Sequence, residues 1–212
     1  MQHQLLTRRQ WLVTGSLAVG AGAAALVLRK TSGNAQLLAA ASDYCVVAPL
    51  RALDSASGIG LLAPRSIPED ARCPVCGMFP VRSPEWAAQA IFDDGATHFF
   101  DSPLSLFIYL QDVERYTAGR RLSEVAARYV RDADSHSEAP DWIDAQTAFY
   151  VHGSDALGPM RAGNLPAFAS AVSAQAFASR RGGQVIQTGE ISPAILEVLG
   201  GAKRHLHQDH SV

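Results

Sequence analysis

Arg72-Cys73-Pro74-Val75-Cys76-Gly77-Met78-Phe79-Pro80 gathers two thiols and a thioether within six residues. Gly77 leaves the backbone beside Cys76 free to turn, and Gly77 with Pro80 disfavours a helix across the stretch. Soft sulfur donors crowded into a short loop suit a soft, monovalent metal such as Cu(I). Beyond the initiator the chain has one other methionine, Met160, which closes a second turn, Gly158-Pro159-Met160. Methionine used as core filler tends to be scattered along helices. Here both lie in glycine-containing turns, so Cys76, Met78 and Met160 are read as Cu(I) ligands, with Cys73 beside them.

The loop precedes a strand expected at Glu85–Phe92, a turn at Asp93-Asp94-Gly95 and a returning strand at Ala96–Phe100. Ser102 with Pro103 has the form of a helix start, and that helix is expected to run to about Tyr116. A further strand is expected at Ala127–Asp132, and Asp132–Pro140 reads as an exposed loop. In the second half, Ala145–His152 reads as a strand, and Ser173 as the cap of a helix stopped by Gly182-Gly183. Gln184–Thr188 follows as a strand, and Ser192-Pro193 opens a helix ending at Gly200-Gly201.

The expected fold is therefore α+β, two small similar units of strands with a packed helix each, behind an N-terminal apolar segment. The expected divisions are 1–41 as signal or anchor, 42–71 as a lead-in arm and 72–138 as a first unit holding the Cys-x-x-Cys loop. Residues 139–202 make a second unit with the Gly-Pro-Met turn, and 203–212 a flexible tail with His205, His207 and His210.

Composition narrows the function. Hydrophobic residues at 48% with 18% charged are those of a globular chain. Residues 1–41 hold four basic groups and no acidic ones, so the rest carries fourteen basic against twenty acidic residues, a balance of −6. That balance, without a basic cluster, makes the chain a poor candidate for nucleic-acid binding, and no nucleic-acid partner is expected. Thr7-Arg8-Arg9-Gln10-Trp11-Leu12-Val13 has the twin-arginine export form, and Trp11–Leu28 is an uncharged apolar run. Ala39-Ala40-Ala41 offers a cleavage site; a retained anchor is the competing reading. Either way the chain is expected in the periplasm or cell envelope. With three cysteines in an oxidising compartment, at most one bridge can form, and Cys45 has no assigned role.

Two other readings of Cys73-x-x-Cys76 compete with copper. Structural zinc commonly needs four ligands, and no second cysteine pair exists. A thiol–disulfide enzyme would use a pair with depressed thiol pKa values, normally at a helix start. His98, in the expected second strand, is weighed as an additional ligand against a half-buried strand histidine with a hydrogen-bond partner. Asp93, Asp94, Asp101 and Asp155 are explained by turns and helix caps. No Ser-His-Asp spacing, phosphate loop or carboxylate pair calls for an enzyme.

Taken together, several stretches closely resemble the NosL family of copper chaperones that accompany nitrous oxide reductase. They are Cys73-Pro74-Val75-Cys76-Gly77-Met78, Pro84-Glu85-Trp86-Ala87-Ala88-Gln89, Phe100-Asp101-Ser102-Pro103, Ile143-Asp144-Ala145, Tyr150-Val151-His152-Gly153-Ser154-Asp155 and Gly158-Pro159-Met160. The resemblance implies an envelope protein that binds Cu(I) and supplies it for the copper–sulfide cluster of the reductase. Its implied partners are the reductase and its copper and sulfur maturation transporter complex, with membrane association through the N-terminal segment and a homodimer as further candidates. It implies a fold similar to that of organomercurial lyase, and it matches Cys76, Met78 and Met160 to the family's sulfur positions and Cys73 to the first motif cysteine. Two departures stand out. Many members are lipoproteins, whereas this chain has a twin-arginine signal and no lipobox. Many also carry histidine after the first motif cysteine, where this chain has Pro74; His98 is then the first candidate for a histidine ligand.

Overall fold

A computed structural model describes residues 48–135, 141–159, 161 and 164–205. The N-terminal segment with its export signal, Cys45, Met160, His136, His207 and His210 all lie outside the described residues. Among those described, no helix is long and apolar enough to cross a membrane.

Ala88-Gln89-Ala90-Ile91-Phe92 forms β1 (Ala88–Phe92), and every residue in it is buried. A strand buried on both faces needs a neighbour on each edge and a cover on each side. The edges are taken by β2 (Thr97–Phe100) and β3 (Val125–Arg131), and β4 (Trp142–Asp144) extends the sheet in the antiparallel order β2-β1-β3-β4. On one face Ala88, Ala90 and Phe92 meet the core beneath α1 (Pro103–Gln111). On the other, Gln89 accepts from the Arg65 amide at 3.1 Å and donates to its carbonyl at 3.3 Å. Arg65 also reaches Thr97 and the Gly95 carbonyl, and Arg51 bridges Thr97. Arg65 thus covers this face and Arg51 extends the β2 edge, so these two residues of the expected lead-in arm pack against the sheet, while 54–62 are exposed.

Gly95 closes the β1–β2 turn at φ +82°, and a Cβ there would stand 2.8 Å from Leu61. Ser102 caps α1 by accepting from the Ser105 amide at 3.3 Å, with Pro103 in the first turn as expected. The helix does not run through to Tyr116. Asp112 leaves helical geometry and accepts from the Arg115 amide at 3.2 Å, starting a separate turn α2 (Val113–Tyr116). A short carboxylate side chain competes with the helix ladder for backbone donors, which breaks the run.

The second sheet is β5 (Phe149–His152), β6 (Ala167–Phe168) and β7 (Gln184–Gln187), antiparallel in the order β6-β5-β7. The expected strand from Ala145 is shorter because Asp144 accepts from the Gln146 amide at 2.8 Å and turns the chain before Phe149. Helix α3 (Ala171–Arg181) begins three residues earlier than expected. Its cap is Ser170, which accepts from the Ser173 amide at 3.1 Å, while the Ser173 hydroxyl donates to Asp134 at 2.8 Å. Helix α4 (Pro193–His205) passes Gly200-Gly201 and takes in residues 203–205, which are expected in the tail.

Each sheet has its helix, so the mixed architecture matches the expectation, but the two halves do not keep separate cores. The described residues fall within one compact unit. A single cluster joins Phe92, Phe100, Leu106 and Tyr109 of the first half to Tyr150, Leu165, Ile186 and Leu196 of the second. Phe107 and Tyr150 meet edge to face with centroids 5.2 Å apart. A smaller cluster, Val151, Phe168, Ala174 and Ala178, seats α3 on the second sheet.

Candidate metal centre

The loop carrying both cysteines is a closed turn. The Cys73 amide donates to the Met78 carbonyl and the Gly77 amide to the Cys73 carbonyl, each at 2.8 Å. Gly77 sits at φ +74°, a left-handed geometry that costs a residue with a Cβ and suits glycine. These bonds turn the chain so that Cys73 and Cys76 point to one place. Asp101 reaches that place from the junction of β2 and α1, one residue before the Ser102 cap.

One donor atom each from Cys73, Cys76 and Asp101 lies within 4.8 Å of the other two. The Cys76 thiol donates to Asp101 Oδ1 at 3.1 Å. Cys73 is fully buried and Asp101 nearly so, whereas Cys76 and Met78 are half-buried. The arrangement has a closed floor and an open sulfur rim. Both cysteines are free thiols in this structure.

The two thiols differ chemically. Burial, then the hydrogen bond with Cys76 and the nearby Asp101 charge, pushes the Cys73 thiol well above the ordinary cysteine range. That direction is opposite to the depressed pKa of a nucleophilic redox cysteine. The loop at 74–76 is also a turn, so no helix start stands behind it.

His98 is on a different part of the sheet. Its Nε2 pairs with the Thr117 hydroxyl at 2.9 Å, and that hydroxyl also pairs with Tyr109 at 2.8 Å. The ring packs against Phe92, Phe100 and Tyr109. It does not enter the cluster of Cys73, Cys76 and Asp101. Desolvation, aided by the Arg120 charge, lowers its pKa to about 4. The neutral ring is therefore favoured by folding. Above pH 6.5 the group contributes nothing to pH dependence; as pH falls from 6.5 towards 4, the unfolded chain takes up the proton first and stability drops. The full loss is about 3 kcal/mol. His98→Phe is expected to flatten this part of the stability profile, measured by urea unfolding at pH 7 and pH 4.5; an unchanged slope would show that His98 is charged or exposed in the fold.

Of the residues read from sequence as ligands, the structure brings together Cys73 and Cys76 with Met78 in the same loop. Met160 lies outside the described residues. By sequence alone Asp101 is a turn and cap residue. Its place in Phe100-Asp101-Ser102-Pro103 was the available signal, but only the strand-to-helix junction aims it at Cys76.

The family model NosL matches residues 64–196. The copper-binding lipoprotein NosL of Stutzerimonas stutzeri is 32% identical over 154 residues, 71% of this chain and 77% of that protein. The crystal structure of the copper chaperone NosL from Shewanella denitrificans aligns with a TM-score of 0.52 at 26% identity, covering 63% of this chain and 98% of that one. The solution structure of apo-NosL from Achromobacter cycloclastes aligns at 28% identity with a TM-score of 0.38, over 51% of this chain and 87% of that one.

Proposed function

As this chain belongs to the NosL family, we propose that it is an envelope Cu(I) carrier, not an enzyme, that supplies copper for the maturation of nitrous oxide reductase. The observation that carries the reading is the half-buried Cys76 sulfur at an open rim beside Met78, above a buried Cys73 and Asp101. Export by the twin-arginine route places it in the periplasm, in keeping with the lipoprotein relative.

Cys76 supplies the strong bond. Its S–H bond breaks as the Cu–S bond forms, and the proton leaves to solvent. Met78 and Met160 add thioether contacts that exchange easily, because neutral sulfur holds Cu(I) without a charge to give up. Asp101, a hard oxygen donor, is a poor match for Cu(I); it accepts from the Cys76 thiol before the metal binds, which fixes where the sulfur stands, and that hydrogen bond is given up with the proton. Transfer proceeds when a methionine or histidine of the acceptor replaces one thioether while Cys76 still holds the ion. The raised Cys73 thiol is a reason to prefer this to disulfide exchange.

Met160→Leu tests the part of the site that sequence alone suggests. A thioether contact worth about 1.4 kcal/mol would show as a tenfold fall in Cu(I) affinity. The measurement is competition with a Cu(I) chelator on the reduced full chain, with Met78→Leu alongside. An affinity that Met160→Leu leaves untouched removes Met160 from the site. Insulin reduction that depends on both cysteines and ignores Met78 would instead favour a thiol–disulfide enzyme.

A further inference from the structure

The metal loop has two cations at its edge that pair with no carboxylate among the described residues. The Arg72 guanidinium stands 4.1 Å from the centroid of the Phe79 ring, and that of Arg82 stands 4.8 Å from the same ring. Arg72 also donates to the Gly77 carbonyl at 3.3 Å, which ties it to the residue after Cys76. Both arginines are exposed. Among the described residues the ion pairs use Arg51, Arg120 and Arg181; neither Arg72 nor Arg82 takes part in one. Past residue 41 the chain is acidic overall, so carboxylates were available to neutralise the pair.

From this we infer that Arg72, Phe79 and Arg82 form a docking rim for a carboxylate-rich face on the protein that accepts the copper. The inference rests on the carrier function proposed above and adds how the acceptor is recognised. Stacking on one ring restrains two side chains that would otherwise be mobile, so less conformational entropy is lost when they bind. The arginine fork matches carboxylate geometry in a bidentate way. Arginine and aromatic residues dominate the energetics of protein interfaces. A complementary acidic face would be steered towards the rim, bringing its own metal ligands to the open side of Cys76. An anionic lipid surface is a weaker match, because two cations alone give little attraction there and the rest of the chain is acidic.

The test is Cu(I) transfer from the loaded full chain to apo nitrous oxide reductase in membranes containing its maturation transporter complex. Arg82→Glu, alone and with Arg72→Glu, is expected to slow transfer by at least about tenfold at low ionic strength. High salt should close most of the gap, since exposed charges are screened. Cu(I) affinity measured against a chelator should move far less than the transfer rate. Arg82→Lys should recover part of the rate, keeping the charge without the fork. Equal rates for wild type and the glutamate variants overturn the inference, as does a defect that salt does not change. A parallel loss of Cu(I) affinity also overturns it, by placing the arginines at the metal. Binding to phosphatidylglycerol vesicles that is lost in the glutamate variants while protein transfer persists assigns the rim to lipid. A wild-type chain that transfers nothing at any salt sinks the proposed function itself, and the docking inference with it.

Discussion

Cys76→Ser is expected to lower the Cu(I) affinity of the reduced chain by more than about 100-fold. Residues that merely support a metal ligand cost 10–100-fold when removed, and Cys76 is proposed as the ligand that makes the strong bond. Serine keeps the size and can still donate to Asp101, so the 3.1 Å contact has a substitute and the loop keeps its shape. What is lost is the soft donor atom, to which Cu(I) responds most. Cys73→Ser is the informative contrast. Cys73 is fully buried within the main core, and a hydroxyl there must find a partner or lose solvation. Its defect should appear first as lowered stability. Chelator competition together with urea unfolding separates the two. If Cys76→Ser binds Cu(I) as tightly as wild type, the assignment of the metal to this loop fails.

Phe107→Ala is expected to destabilise the protein by roughly 3–5 kcal/mol, the usual cost of emptying an aromatic position in a packed core. Phe107 lies on α1, yet its ring meets Tyr150 of β5 at 5.2 Å, and both belong to the cluster that joins the two sheets. An edge-to-face pair adds about 0.5–1.5 kcal/mol beyond area burial. The loss should therefore be felt by both halves at once. Unfolding followed by tryptophan fluorescence, in a chain that begins at residue 42 so that the signal reports on Trp86 and Trp142 without Trp11, should coincide with unfolding followed by circular dichroism, in wild type and variant alike. Two separated transitions, with only the first shifted by Phe107→Ala, would mean that the halves are independent domains.

Much of the local structure was legible because local chemistry decides it. Gly95 had to close a turn, and Ser102-Pro103 had to open a helix, since the groups that satisfy each turn or cap lie within a few residues. Boundaries slipped where two such signals lay close together. Ser170 and Ser173 both offer a hydroxyl, and the choice went to Ser170 because Asp134, distant in sequence, engages Ser173. Asp112 and Asp144 each divert the backbone through one side-chain hydrogen bond, a small local effect that hydrophobic periodicity does not register.

The sequence by itself determined the loop that carries the thiols, the kind of metal those sulfur atoms suit and the family to which the chain belongs. These depend on residue types at short spacing, where chain connectivity already supplies proximity. Only the tertiary structure decided that Asp101 faces Cys76, that His98 belongs to an aromatic and hydroxyl network away from the cysteines, and that two sheets share one core. Each of these joins residues far apart along the chain. Burial of apolar surface brings such pairs together, and that driving force carries no record of the partner in either residue's own neighbourhood.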